Sequence, residues 1–389
     1  MSDKRRLKVA MIGYGFMGAA HSQGWRVAPR FFDLDAQPDM QVLVGRNAEA
    51  VSDAAGKWGW AETATDWRDV IARDDIDIVD IVTPGGSHAE IAIAALNAGK
   101  HVLCEKPLAN SVEETEQMAA AATRAARNGV ISMLGHTYRR LPATTLARNL
   151  IAAGKIGEVR QVRACYLQDW LTDPSTPLVW RLQKELAGSG SLGDIGAHII
   201  DLSEYITGSQ LVEVSGTMET ITKRRPVLEN TAGLGGSGGT EMGDVTVDDV
   251  ALFTGRYDSG VLGSFEATRY ATGRKNALRI EISGSLGALS FDLERLNELQ
   301  FFDATAPAET QGFTTILVTE SEHPYISAWW PAGHMLGYEH AFSHQAKDFV
   351  DAVTSGTPAS PSFDDGVHVQ RVLAAVEGSS HAGSAWTTI

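Results

Sequence analysis

Short apolar runs alternate with stretches of helical spacing through the first third of the chain. Residues 7–12 form a run of strand length, and 17–28 place their apolar side chains at helical intervals. Residues 42–44 predict a second strand and the Ala-rich segment 47–57 a second helix. Residues 76–82 alternate Asp with Ile and Val, turn fully apolar, and end at Thr83-Pro84-Gly85-Gly86. Ser87 with Glu90, and Ser111 with Glu114, read as capping boxes that open helices ending near Gly99 and Gly129. Residues 101–104 and 130–134 are further strands. Strands separated by helices predict a parallel, doubly wound sheet with helices on both faces.

The pattern then changes. A helix over 142–153 precedes strand-like runs at 158–169, 211–221, 247–257, 260–270, 278–283, 288–293, 298–302 and 314–318. Most are separated only by turns, which predicts a large, mostly antiparallel sheet. One helix, over 192–206, interrupts the strands, and two more close the chain near 338–353 and 366–376. The Gly-rich stretch 233–239 reads as a surface loop. The expected fold class is therefore α/β, a dinucleotide-binding type of parallel domain over 1–137 followed by an α+β domain over 138–389.

Composition narrows the function classes. A chain of 389 residues suits two domains, and 43% hydrophobic with 21% charged residues excludes a disordered or fibrous chain. A net charge of −15 argues against a nucleic-acid partner and against attraction to anionic membranes. Cys104 and Cys165, the two cysteines, exclude a disulfide scaffold and a four-thiolate metal site, and no metal centre is expected. Lys4-Arg5-Arg6 before an apolar stretch has the outline of a signal peptide, but Gly13, Gly15 and Gly18 divide that stretch into strand, turn and helix. No segment approaches the ~18 apolar residues of a membrane span. A cytoplasmic protein is the expectation.

Four motifs carry candidate chemistry. Gly13-Tyr14-Gly15-Phe16-Met17-Gly18 follows a predicted strand and opens a predicted helix, the context in which G-x-G-x-x-G binds a dinucleotide pyrophosphate. The second strand ends in Gly45-Arg46-Asn47, without the acid that would bond the ribose 2′-hydroxyl of NAD. Arg46 can pair with a 2′-phosphate or stack on adenine, so the cofactor expected is NAD or NADP. Glu105-Lys106-Pro107 lies at the carboxyl end of a strand, where doubly wound sheets bind ligands. Asp194 and His198 are four residues apart on one predicted helix, and Asp201 follows three later, a spacing compatible with a general base and its orienting carboxylate. His340 and His344 repeat the spacing and read as structural histidines.

Taken together, these motifs resemble the Gfo/Idh/MocA oxidoreductase family over nearly the whole chain. The resemblance implies a Rossmann domain joined to a domain with a large sheet, and a nicotinamide-dependent dehydrogenase of sugars or cyclitols. It implies that Lys106 is the catalytic lysine, Asp194 the substrate-orienting carboxylate and His198 the general base. Thr83-Pro84, with His88 at its edge, matches the loop beside the nicotinamide ribose, and Glu105 joins the cofactor-binding set. Tyr138-Arg139-Arg140, Tyr166 to Trp170, Trp180-Arg181 and Glu266 to Arg269 resemble the branch that contains levoglucosan and inositol dehydrogenases. Trp329-Trp330-Pro331 to His334 reads as a loop that caps a pocket, its own or a neighbouring subunit's, and the branch implies Tyr138, Gln168, Trp170 and Arg181 as substrate-side residues. It also implies a homodimer or homotetramer. The same residues suit a glycosidase that works by transient oxidation, and a cofactor-binding regulator remains the non-catalytic alternative.

Overall fold

The computed structural model describes residues 4–232 and 235–389, which divide into two compact units. The first unit runs through Thr137 and also takes in Tyr338–Gln370, a return of the chain that a single boundary at 137/138 does not anticipate. Its sheet holds β1 (Arg5–Ile12), β2 (Ala36–Val44), β3 (Glu62–Ala64), β4 (Ile78–Ile81), β5 (His101–Glu105) and β6 (Ser132–Gly135). All pair in parallel, in the order β3-β2-β1-β4-β5-β6 of the doubly wound dinucleotide fold. The helices are α1 (Phe16–Phe31), α2 (Ala48–Trp58), α3 (Trp67–Ile71), α4 (His88–Asn97) and α5 (Val112–Ala126).

Side-chain alternation divides the core between the two faces of this sheet. Leu7, Val9 and Met11 of β1 join Trp25 of α1 and Phe349 and Val350 in one apolar cluster. Ala10 and Ile12 join Ile91 of α4 and Met118 of α5 in the other. Ser111 caps α5 as the sequence predicts, its Oγ accepting from the Glu114 N–H at 3.2 Å. Ser87 does not cap α4. A 3₁₀ turn at Gly85–Ser87 precedes the helix, and the Ser87 hydroxyl bonds Thr83 Oγ1 and the Pro84 carbonyl oxygen instead.

The second unit comprises Tyr138–Gly337 and Arg371–Ile389. Its helices are α6 (Pro142–Ala152), α7 (Lys184–Ala187) and α8 (Ala197–Thr207). Its strands are β7 (Val159–Leu167), β8 (Leu211–Glu219), β9 (Arg224–Ala232), β10 (Gly235–Asp244), β11 (Val250–Tyr257), β12 (Leu262–Thr268), β13 (Ala277–Gly284), β14 (Gly287–Asp292), β15 (Glu298–Asp303) and β16 (Thr314–Leu317). The chain ends with α9 (His340–Ser355), which lies in the first unit, α10 (Phe363–His381) and β17 (Thr387–Thr388). Nine strands form one sheet, β16-β15-β14-β13-β7-β12-β11-β8-β17, antiparallel except for the parallel pair β7–β12. One face is buried: Phe253 and Phe265 stack at 4.6 Å, and Tyr257 donates to Ser203 of α8 at 2.8 Å.

The Gly-rich stretch departs from its expected loop. Residues 235–239 belong to β10, which pairs antiparallel with β9, while 233–234 lie outside the described residues. The reason is close approach: a Cβ on Gly238 would stand 2.6 Å from Pro226 and 3.2 Å from Pro177. Glycine here admits a neighbouring chain rather than loosening its own. Among the described residues no helix is long and apolar enough to cross a membrane.

Candidate active site

The candidate dinucleotide cradle lies where β1 meets α1. Gly13 turns the chain at φ +115°, and a Cβ there would meet the Val82 backbone at 3.0 Å. A Cβ on Gly18 would press to 2.8 Å on the Gly13 carbonyl oxygen. Gly15 faces open space, with nothing within 4 Å of where its Cβ would stand. No side chain caps α1, so the N–H groups of its first turn are available to an anion. These residues fit a pyrophosphate. Phe16 is half-exposed and stacks near Tyr338 at 6.5 Å, while Met17 packs against the core. Arg46 is exposed beyond β2, Asn47 caps α2, and the Tyr14 ring occupies the space beside Gly45.

Two neighbouring strand ends carry the next residues. His88, buried at the start of α4, bridges backbone carbonyls: Nε2 meets Thr83 O at 2.7 Å and Nδ1 meets Pro107 O at 3.0 Å. Burial holds its pKa below the usual histidine value. His88 thereby ties the Thr83-Pro84 turn after β4 to the Glu105-Lys106-Pro107 turn after β5. Glu105 is buried and accepts from the Lys106 peptide N–H at 3.2 Å, and Lys106 is partly exposed.

In the second unit, Asp194 and His198 stand at the start of α8. The expected regular helix over 192–206 instead begins with a π-helical turn at Leu192–Gly196, closed by the Ala197 N–H on Leu192 O. Such wide turns displace a side chain from its α-helical position, so Asp194 and His198 do not follow a simple i,i+4 face. Asp248 holds this turn from another segment, accepting from Gly190 N at 2.7 Å, Ser191 Oγ at 2.6 Å and Leu192 N at 2.8 Å. The Asp194 carboxylate is salt-bridged at 2.8 Å to Arg269, whose guanidinium is buried and also donates to Gly190 O. That guanidinium lies 5.4 Å from the Trp170 ring. Arg181 is stacked on Trp180, and its pKa is lowered by burial, opposed by Asp194 and reinforced by Arg269.

His198 is half-buried against aromatic rings, Tyr138 at 4.6 Å and Tyr166 at 5.8 Å. From Tyr138 a line of hydrogen bonds runs through Tyr166 (2.8 Å) to Asn276 Oδ1 (2.7 Å), and on to Gln168 (2.9 Å) and Trp170 (3.1 Å). Because the Tyr166 proton goes to Asn276, Tyr138 is the donor to Tyr166. Asp201, next on α8, forms a buried salt bridge with Arg139.

Thus Thr83, Pro84, His88, Glu105 and Lys106 gather at two strand ends of one unit. Tyr138, Gln168, Trp170, Arg181, Asp194 and His198 gather around α8 in the other. The Trp329–Trp330 pair follows a 3₁₀ turn at Ile326–Ala328, with Trp330 exposed. Sequence reasoning passed over Arg269, Asn276 and Asp248 as site residues. The stretch Glu266 to Arg269, already singled out by its resemblance, was the available signal for Arg269. The other two act through contacts distant in sequence.

A glycine turn after the first strand of a doubly wound parallel sheet, with a match to an NAD-binding Rossmann domain, defines a class: an NAD-binding oxidoreductase. The chain belongs to the GFO/IDH/MocA oxidoreductase family. Residues 7–136 match its NAD-binding Rossmann domain and residues 144–290 its C-terminal domain. An oxidoreductase domain protein from Kribbella flavida superposes with a TM-score of 0.95 at 61% identity, covering 99% of both chains. The levoglucosan dehydrogenase of Pseudarthrobacter phenanthrenivorans is 41% identical over 99% of this chain and 98% of its own. A levoglucosan dehydrogenase in complex with NADH and levoglucosan superposes with a TM-score of 0.92 at 40% identity, covering 99% of this chain and 100% of that one.

Proposed function

We propose that the chain oxidises a secondary hydroxyl of a sugar, anhydrosugar or cyclitol to a ketone, with His198 as general base. The observation that carries this reading is the cluster around His198: a half-buried imidazole packed on Tyr138 and Tyr166, four residues along the chain from a carboxylate fixed by a buried arginine. NAD, when bound, accepts the hydride from the carbinol carbon. His198 takes the hydroxyl proton as the carbonyl forms. Asp194, held in place by Arg269, accepts a hydrogen bond from a neighbouring hydroxyl of the ring and so orients the substrate. Lys106 stabilises the negative charge that develops on the oxygen. The polar line from Tyr138 to Trp170, with its aromatic faces, suits a ring bearing several hydroxyls. The similarity to levoglucosan dehydrogenases supports the same substrate class.

The test is the near-ultraviolet absorbance of reduced nicotinamide, with NAD and NADP supplied separately to purified protein. Levoglucosan, myo-inositol and scyllo-inositol head the panel. A rise with NAD is expected for at least one substrate. No rise with either cofactor over a wide panel of polyols and anhydrosugars would overturn the net dehydrogenase. Val212, Leu252 and Leu262 stand exposed on the outer side of the nine-stranded sheet. Apolar positions so placed support a homo-oligomer, for which light scattering of the purified chain is the measurement.

A further inference from the structure

The core of the first unit contains a buried ionic cluster that the proposed chemistry does not use directly. His21 lies on the inner face of α1, one turn beyond Gly18, and its side chain is 1% exposed. Its Nδ1 meets both carboxylate oxygens of Asp80, in the middle of β4, at 3.0 and 2.9 Å. Its Nε2 meets Glu105 Oε1, the last residue of β5, at 2.9 Å. The indole of Trp25 donates to Asp80 at 2.7 Å, and the other Glu105 oxygen accepts the Lys106 peptide N–H. Phe342 closes the ring of His21 from solvent at 5.4 Å.

Ionised carboxylates only accept, so with Asp80 and Glu105 both charged the two imidazole nitrogens facing them carry protons. A neutral ring would point a lone pair at a carboxylate in a dry core, a loss of the kind that makes unpaired buried charge costly. The remaining titratable neighbours are compatible with this. Burial pushes the Cys104 thiol up and His88 down. Burial alone would lower His21, but the Asp80 charge and the bonds to Asp80 and Glu105 outweigh it. Glu105 lies below the usual carboxylate range, because its bond to His21 and the charges of His21, Lys106 and His88 overcome the opposing effect of burial.

We propose that His21 is a positioning residue for Lys106: clamped between Asp80 and Glu105, its imidazolium fixes the Glu105 carboxylate on the Lys106 peptide N–H and so sets the direction in which the lysine leaves β5. The same ring joins α1, whose N-terminus forms the dinucleotide cradle, to the strand end that bears the lysine. The inference rests on the role of Lys106 in the proposed function. A direct consequence is that Glu105 and His21 act as one unit. A side chain displaced by about 1 Å in an active site costs up to ~10²-fold in rate.

The experiment uses the full-length enzyme and its sugar substrate, with His21→Gln, Glu105→Gln and the double variant. Single-turnover hydride transfer is measured beside NADH affinity by fluorescence. Each single variant should lose about 10–100-fold in the transfer step. The double variant should lose no more than the worse single one, and the NADH affinity of His21→Gln should stay within about twofold. A merely structural role would lower the melting temperature and leave the transfer rate of the folded enzyme intact, which would overturn the inference. So would loss of NADH affinity at an unchanged transfer rate. Lys106→Ala, run in parallel, separates the two layers. If it leaves transfer unchanged, the role of Lys106 falls and the positioning of it falls too. If it abolishes transfer while the His21 variants do not affect it, the positioning alone is wrong. Should the His21 variants fail to fold, ¹⁵N spectra of the histidine-labelled wild type decide. One imidazolium that stays doubly protonated at pH 8 and shifts in Glu105→Gln supports the clamp; only neutral rings at pH 8 overturn it.

Discussion

Replacing Asp201 by Asn removes one charge from a buried pair and leaves Arg139 behind. The pair is well made: Arg139 Nε lies 3.1 and 2.9 Å from the two carboxylate oxygens and Nη2 lies 2.5 Å from one of them. The side chains are 8% and 2% exposed, so water cannot replace the lost partner. Removing one member of such a pair costs about 3–5 kcal/mol. The lower end applies here, because the Tyr205 ring remains 5.2 Å from the guanidinium and retains a cation–π contact. Asp201 lies on α8 with His198, and Arg139 adjoins Tyr138, so the pair binds α8 to the turn that packs on it. Hydrogen exchange of the peptide spanning α8 is the assay, since it reports local opening without assuming two-state unfolding. At 1.4 kcal/mol per tenfold, about 3 kcal/mol predicts exchange faster by roughly two orders of magnitude. The combined variant Arg139→Met with Asp201→Leu should recover most of that loss. An acceleration below about threefold for Asp201→Asn would refute the reasoning that this pair anchors α8.

Other outcomes follow from the same geometry. His198→Ala should lose at least ~10² in turnover with NADH binding retained, and near-normal turnover would remove His198 as the base. Asp248→Ala strips the acceptor from two backbone N–H groups and a hydroxyl at the start of the π-helical turn; a stability loss of about 1–3 kcal/mol in denaturant titration is expected, with lower turnover. His21, pushed up to about 10 in the folded chain from 6.5, contributes stability that is complete below about pH 6.5 and is lost as pH rises toward 10. The melting-temperature gap between wild type and His21→Gln should therefore narrow from pH 6.5 to 9.5, and a constant gap would contradict the imidazolium.

The sequence by itself determined the class of this protein. Period-2 and period-3.6 patterns depend on neighbours along the chain, so β1, α1 and the antiparallel strands from β11 to β16 could be read directly. The glycine spacing at 13, 15 and 18 and the strand-end Lys106 were legible for the same reason: a tight turn and a strand terminus are local events. The contacts that tune the site were not. Ser87 looks like a cap until the Thr83 hydroxyl takes its proton. The glycines of β10 look flexible until Pro226 and Pro177 are packed against them. Asp194 and His198 share a helical spacing on paper, but Asp248 and the strands beneath close a π-helical turn and Arg269 holds the carboxylate. Asp80 and Glu105 lie 59 and 84 residues from His21, and only the packing of α1 on the parallel sheet brings the three together. Local order follows from short-range sterics and patterning, whereas the placement of charge in a dry interior depends on which distant segments meet there, and that was decided by the tertiary structure.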